Sequence, residues 1–210
     1  MTTAQRVTHV IEELRALYPD ATCSLRYEHA YQLLFSTRLA AQCTDARVNI
    51  VAKELYQRFP NLEAFASCNI EDLEEVVRPC GLFHTKARDL KACAQALLER
   101  FDGEVPDTME ELLTLPGIGR KTANLVLGDV YGKPAVVTDT HCIRLSNRIG
   151  FATSKDPRQV ERALEKIIPP EEQCILCHRF VFHGRAVCTA RSPKCTECTL
   201  APYCKSALKV

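Results

Sequence analysis

The sequence predicts an all-α protein, on three observations. Apolar residues recur at helical spacing along most of the 210 residues. Thr, Asn and Asp stand ahead of several of these stretches as candidate N-caps, and Gly or Pro follows many of them. The only strand-like run, Ala135-Val136-Val137-Thr138, is too short and isolated to build a sheet.

The elements follow in chain order. Val7, Val10, Ile11, Leu14 and Leu17 form one stripe, so a helix runs from Ala4 to Leu17 and ends at Pro19. Ala30 to Ala41 is largely apolar, free of Gly and Pro and too long for a typical strand, which makes it a buried helix. Thr44 caps a helix that ends near Phe59, before Pro60. Asn69 with Asp72 starts a short helix ending near Gly81, and Thr85 to Phe101 is long and amphipathic, ending before Gly103. Thr108 with Glu111 forms a capping box for a helix that feeds Leu115-Pro116-Gly117-Ile118-Gly119-Arg120-Lys121. Helices follow over Arg120–Tyr131, Asp139–Ile149, Asp156–Ile167 and Glu171–Gly184. A seam is expected near Gly132-Lys133-Pro134.

Composition bounds the class. No apolar run reaches the ~18 residues a bilayer requires, and the polar N-terminus lacks the apolar core of a secretory signal. A soluble, cytoplasmic chain with no membrane partner is expected. Net charge is +1, but residues 1–115 carry 12 Lys and Arg against 18 Asp and Glu, whereas residues 116–210 carry 15 against 8. The second half is the better face for a polyanion. The 12 cysteines do not suit a secreted disulfide scaffold, because the chain is long and helical. Cys23, Cys43, Cys68, Cys80, Cys93 and Cys142 stand singly and read as small buried core residues.

The Leu115–Lys121 stretch is a tight apolar hairpin leading into a helix. Gly117 and Gly119 can take φ > 0, which lets backbone N–H groups point outward beside the helix N-terminus, a seat for a phosphate. Such amides position a protein on nucleic acid without reading sequence. Arg120 and Lys121 follow in the first turn, where the positive helix end disfavours the ammonium and so favours a neutral, nucleophilic amine. A neutral Lys121 could attack a sugar C1′, displace the base and leave a Schiff base, after which β-elimination breaks the strand. An ordinary αα-turn with a solvated lysine is the plainer reading. Asp139 opens Asp-Thr-His-Cys-Ile-Arg as an N-cap, and a capping carboxylate held ionised could also stabilise positive charge on the sugar or help deprotonate the lysine. His141 is carried with the DNA-contacting set, its other reading being packing or a hydrogen bond.

Cys188, Cys195, Cys198 and Cys204 crowd a tail with little apolar core and call for a metal. One central Cys-x-x-Cys with longer flanks suits a [4Fe–4S] cluster better than zinc, whose four-cysteine sites usually show two short pairs. Arg191 and Lys194 within the first ligand loop could grip a second phosphate, or be solvated charge. Cys174-Ile-Leu-Cys177-His178 matches a c-type haem pattern, which is set aside because there is no export signal and Cys174–Phe182 reads as a buried helix just before the cysteine quartet. Zinc on Cys174, Cys177, His178 and His183 would need ligands from two helix faces.

Together these residues resemble the endonuclease III branch of the helix-hairpin-helix DNA glycosylases. The resemblance rests on Ala41–Asp45, Gly81–Ala87, Leu115–Ala123 with Val137–His141, and the cysteine quartet, and it covers nearly the whole chain. It implies two helical lobes with duplex DNA in a cleft between them. One is a six-helix barrel over 22–132 that includes the helix-hairpin-helix at about 108–131. The other joins 1–21 to 133–210 and holds the [4Fe–4S] loop at 188–204, mainly structural and DNA-sensing. It further implies base flipping, Lys121 as nucleophile, Asp139 as catalytic carboxylate, Gln42 filling the gap left by the flipped base, and Leu82 as an inserted wedge. Gln42 as a helix cap and Leu82 as core are the plainer alternatives. The implied activity is a bifunctional, monomeric glycosylase and abasic-site lyase of base excision repair acting on oxidised pyrimidines at the nucleoid. Its rivals are a glycosylase for another lesion such as pyrimidine photodimers, a non-catalytic iron–sulfur DNA-binding module, and a ferredoxin-like electron carrier.

Overall fold

The structure, a computed structural model, describes residues 1–207. Among them are eleven α-helices, four short 3-10 helices and no strand. Residues 135–138 are buried and have no regular secondary structure. The chain divides into two compact units, Cys23–Tyr131 and the segments Met1–Thr22 with Gly132 onward.

The continuous unit holds α2 (Ala30–Leu39), α3 (Asp45–Arg58), α4 (Leu62–Ser67), α5 (Ile70–Val77), α6 (Phe83–Phe101), the one-turn α7 (Met109–Leu112) and α8 (Arg120–Asp129). α4 and α5 pack along α6, and α2 packs on α3, α6 and α8. Between them lies an aromatic knot, in which the Phe35 and Phe65 rings meet edge-on at 4.9 Å with Phe59, Tyr31 and Tyr56 around them. Leu33, Leu34, Leu39, Leu90, Leu97 and Val126 complete the core. The discontinuous unit holds α1 (Thr3–Leu17), α9 (Thr140–Ile149), α10 (Pro157–Glu165) and α11 (Gln173–Ala186), with α11 packed on α1 and α9.

Capping residues act where the sequence placed most of them. The side chains of Thr44, Asp139 and Asp156 accept the backbone N–H three residues on, Asp139 from Cys142 at 2.7 Å. Thr108 does the same from Glu111, but Glu111 turns its carboxylate to the Thr108 hydroxyl, at 2.7 Å, and not to the backbone N–H of a full capping box. Asn69 makes no side-chain cap at α5, whose last turn passes into a 3-10 helix at Arg78–Cys80. Four further expectations are corrected. α6 begins at Phe83, two residues before Thr85, because Leu82 itself turns the chain. α4 was not foreseen, being only six residues long and capped by Asn61. Cys23, Cys43 and Cys68 are half-buried, while Cys80, Cys93 and Cys142 lie in the core. Phe182 is exposed near the end of α11, whose Cys177, His178 and Phe180 face inward.

Candidate functional site

The hairpin between α7 and α8 is anchored from below. Leu115 and Ile118 are buried, and the Ile118 N–H closes the turn on the Leu115 carbonyl at 3.2 Å. Gly117 has φ +74, the left-handed region that favours glycine. It also sits on an ion pair, since a Cβ there would fall 2.8 Å from Asp89 Cβ and 3.0 Å from Arg38 Nε. Arg38 donates to one Asp89 oxygen from Nε at 2.9 Å and from Nη2 at 2.7 Å. Arg38 on α2 and Asp89 on α6 therefore form a polar floor for a turn on a third element.

Gly119 corrects an expectation. Its φ is −104 and ψ 173, extended backbone open to any residue, and nothing lies within 4 Å of where its Cβ would be. Its small size leaves open space in front of the α8 N-terminus, where no side chain caps the first turn. Uncapped N–H groups at a positive helix end, with clear approach, form an anion seat. Arg120 is half-buried beside it, and Lys121 is exposed in the same turn.

Gln42 and Leu82 are both exposed, Leu82 at 56%. Neither of the plainer readings holds, because Thr44 caps α3 and Leu82 is outside the core. Both occupy left-handed backbone, with φ of 57 and 49. Such conformations cost about 1–2 kcal/mol each for residues with a Cβ, and they gather where the surroundings hold a side chain in a required direction. Among the described residues Asp102 is the only other non-glycine with positive φ, and it closes α6 in front of Gly103.

In the discontinuous unit, Asp139 is half-buried at the α9 N-terminus, its carboxylate fixed by the Cys142 N–H. His141 is half-buried and packed: its Nδ1 lies 3.0 Å from Arg144 Nη2, and a Cβ on Gly184 would meet it at 2.5 Å. Cys188, Cys195, Cys198 and Cys204 all line one cavity of about 90 Å³ together with Arg148, Val187 and Pro193. None forms a disulfide. Burial raises the Cys198 and Cys204 thiols, and the neighbouring cysteines raise them further. Four crowded sulfurs of this kind fit a multi-iron centre that keeps them as thiolates. Arg148 donates to Cys188 Sγ at 3.3 Å and to the Thr189 carbonyl at 2.7 Å, which brings positive charge to the anionic ligand set. His183 Nε2 lies 3.4 Å from Cys198 Sγ while its Nδ1 meets the Tyr18 hydroxyl at 3.2 Å, and burial lowers its pKa to about 4. Arg191 and Lys194 are exposed on the same loop. A zinc site on Cys174, Cys177, His178 and His183 does not assemble, because Cys177 Sγ turns to Cys142 Sγ at 4.0 Å and His183 turns to Tyr18 and Cys198.

Sequence reasoning missed the Arg38–Asp89 floor, the His183 contact and Lys86, a fully buried lysine behind the Gln42 and Leu82 loops. Contacts between residues so far apart in the chain leave no local signal. Lys86 stood inside a matched stretch, and nothing in its neighbours marks it as buried.

Residues 35–170 match the family described as HhH-GPD superfamily base excision DNA repair protein, and residues 188–204 match the iron–sulfur binding domain of endonuclease III. The chain is 48% identical over 204 residues to endonuclease III of Synechocystis sp., covering 97% of this chain and 93% of that protein. It is 36% identical to endonuclease III of Escherichia coli K12, covering 100% and 99%. A structure described as a trapped endonuclease III–DNA covalent intermediate superposes with a TM-score of 0.92 at 40% identity, covering 99% of this chain and 98% of that one. A thermostable thymine-DNA glycosylase shares the fold at a TM-score of 0.85 and 18% identity.

Proposed function

The chain belongs to the endonuclease III family of helix-hairpin-helix base excision repair proteins, and from that premise we propose that Lys121 is the nucleophile with which it removes oxidised pyrimidines from duplex DNA. It is a bifunctional DNA glycosylase and abasic-site lyase. The observation that carries the Lys121 assignment is its exposed place in the first turn of α8, two residues after the open, uncapped Gly119.

The hairpin amides take a backbone phosphate, which sets the register of the strand against α8. Gln42 fills the space of the flipped nucleotide and Leu82 enters the stack. The Lys121 amine attacks C1′, the C1′–N bond breaks, and the base leaves with its electron pair. Loss of a proton from nitrogen and opening of the sugar yield an iminium, which acidifies the C2′ proton. Its removal expels the 3′ phosphate. Asp139, pinned by the Cys142 N–H, supplies negative charge while positive charge grows on the sugar. Cys188, Cys195, Cys198 and Cys204 would hold a [4Fe–4S] cluster, and their ligation would tie together the loop that carries Arg191 and Lys194. Those two cations grip a further phosphate, and Arg120 contributes at the hairpin. His141 works by packing α9 against α11. The protein acts as a monomer on chromosomal DNA in the cytoplasm.

The test is strand cleavage of duplexes that each carry one defined lesion. Cleavage at oxidised pyrimidines, lost in Lys121→Ala, is expected. Binding without cleavage by the iron-replete protein would favour the non-catalytic reading, and cleavage confined to photodimers would replace the substrate class.

A further inference from the structure

Two loops of the continuous unit carry the side chains that enter the duplex, and one buried cation lies behind both. Lys86 is fully buried on the first turns of α6. Its Nζ donates to the carbonyl of Leu39 at 2.8 Å and to that of Cys80 at 2.8 Å. Leu39 is the last residue of α2, three before Gln42, and Cys80 ends the 3-10 helix, two before Leu82. Carbonyls at the ends of helices lack intrahelical partners and carry partial negative charge, so two such ends converge on one ammonium. Burial, and after it the neighbouring Cys43, raises the Cys80 thiol, and Cys43 is the residue after Gln42.

The arrangement is unfavourable as mere core filling. Both hydrogen-bond acceptors of the Lys86 ammonium are backbone carbonyls, neither a carboxylate, and burial lowers its pKa, with the Cys80 and Cys43 thiols opposing that shift. A methionine would fill the same space without burying a charge. What the lysine does and methionine cannot do is join the two backbone segments at one point, immediately before each turns into left-handed backbone at Gln42 and Leu82.

We propose that Lys86 is a positioning residue for the reaction: its buried ammonium fixes the separation of the two loops, so that Gln42 and Leu82 enter the base stack as a pair. This rests on the reading of Gln42 and Leu82 as filler and wedge. Entry matters only where there is a stack to enter, so the effect belongs to duplex substrates and is absent from a single strand.

The experiment measures single-turnover cleavage at one abasic site in a duplex and in the same strand alone, for wild type, Lys86→Met, Gln42→Ala with Leu82→Ala, and all three changes together. 2-Aminopurine opposite the abasic site reports unstacking. The ratio of duplex to single-strand rate is expected to fall about tenfold in Lys86→Met, in line with the cost of sub-ångström misplacement. The fluorescence rise on binding should shrink with it, and the combined variant should be no worse than Gln42→Ala with Leu82→Ala, since one device is being removed. Lys86→Gln, a shorter donor, takes its place in the same series if Lys86→Met does not fold. Equal losses on both substrates, or no loss on either, would overturn the proposal and leave the filler-and-wedge reading intact. An unchanged ratio in Gln42→Ala with Leu82→Ala would overturn that reading and this proposal with it.

Discussion

The hairpin and the cysteine loop each present backbone and cations at the surface, but different forces hold them. The hairpin rests on buried Leu115 and Ile118, on the Arg38–Asp89 pair under Gly117, and on a unit with a continuous apolar core. It is preorganised by packing. Between Cys188 and Cys204 only Leu200 is buried, and the regular structure is two 3-10 helices of three residues each. Such a segment cannot repay its ordering entropy by burial, so cross-linking through the cysteines must supply the order. On the proposed reading the nucleophile sits in the region whose geometry is set by the core, and Arg191 and Lys194 in the region whose order depends on a cofactor.

The largest effect expected lies outside both regions. Asp139→Asn keeps an N-cap of equal quality and removes the charge proposed to stabilise the developing cation. Base-release rate should fall on the order of a hundredfold or more, with folding stability within about 1 kcal/mol of wild type. If both quantities drop together, Asp139 is a cap and no more. Loss of the cluster comes next. In Cys198→Ala the iron–sulfur absorbance should disappear and amide exchange over 188–204 should become fast, while α2, α6 and α8 keep their protection. Loss of protection across both units would mean that the cluster, not the core, organises the hairpin.

The two glycines separate conformation from approach. Gly117→Ala meets Asp89 and a left-handed backbone, so stability should fall by about 1–3 kcal/mol. Gly119→Ala meets nothing, so stability should change by less than about 1 kcal/mol while DNA affinity drops through the methyl in the phosphate seat. Equal unfolding midpoints for the two would refute this division. Smallest of all, Arg191→Ala and Lys194→Ala should each reduce the slope of log affinity against log salt by about 1, with single-turnover cleavage of saturated duplex nearly unchanged.

How much could be read in advance follows from the range of each interaction. Thr44, Asp139 and Asp156 were legible because a cap acts three residues away. The cysteine quartet was legible because its ligands are close in sequence. The left-handed backbone at Gln42 and Leu82 was not, since glutamine and leucine give no sign of it. Arg38 and Asp89 lie 51 residues apart, and Lys86 reaches 47 residues back to Leu39. Tertiary structure alone makes such pairs, and each supports a motif that the sequence did reveal.

The most direct test is to reduce the reaction with borohydride on an abasic duplex and to map the adduct by peptide mass. A single DNA adduct on Lys121, absent from Lys121→Ala, is the predicted result. An adduct on another amine, or an undiminished yield from Lys121→Ala, would contradict the account.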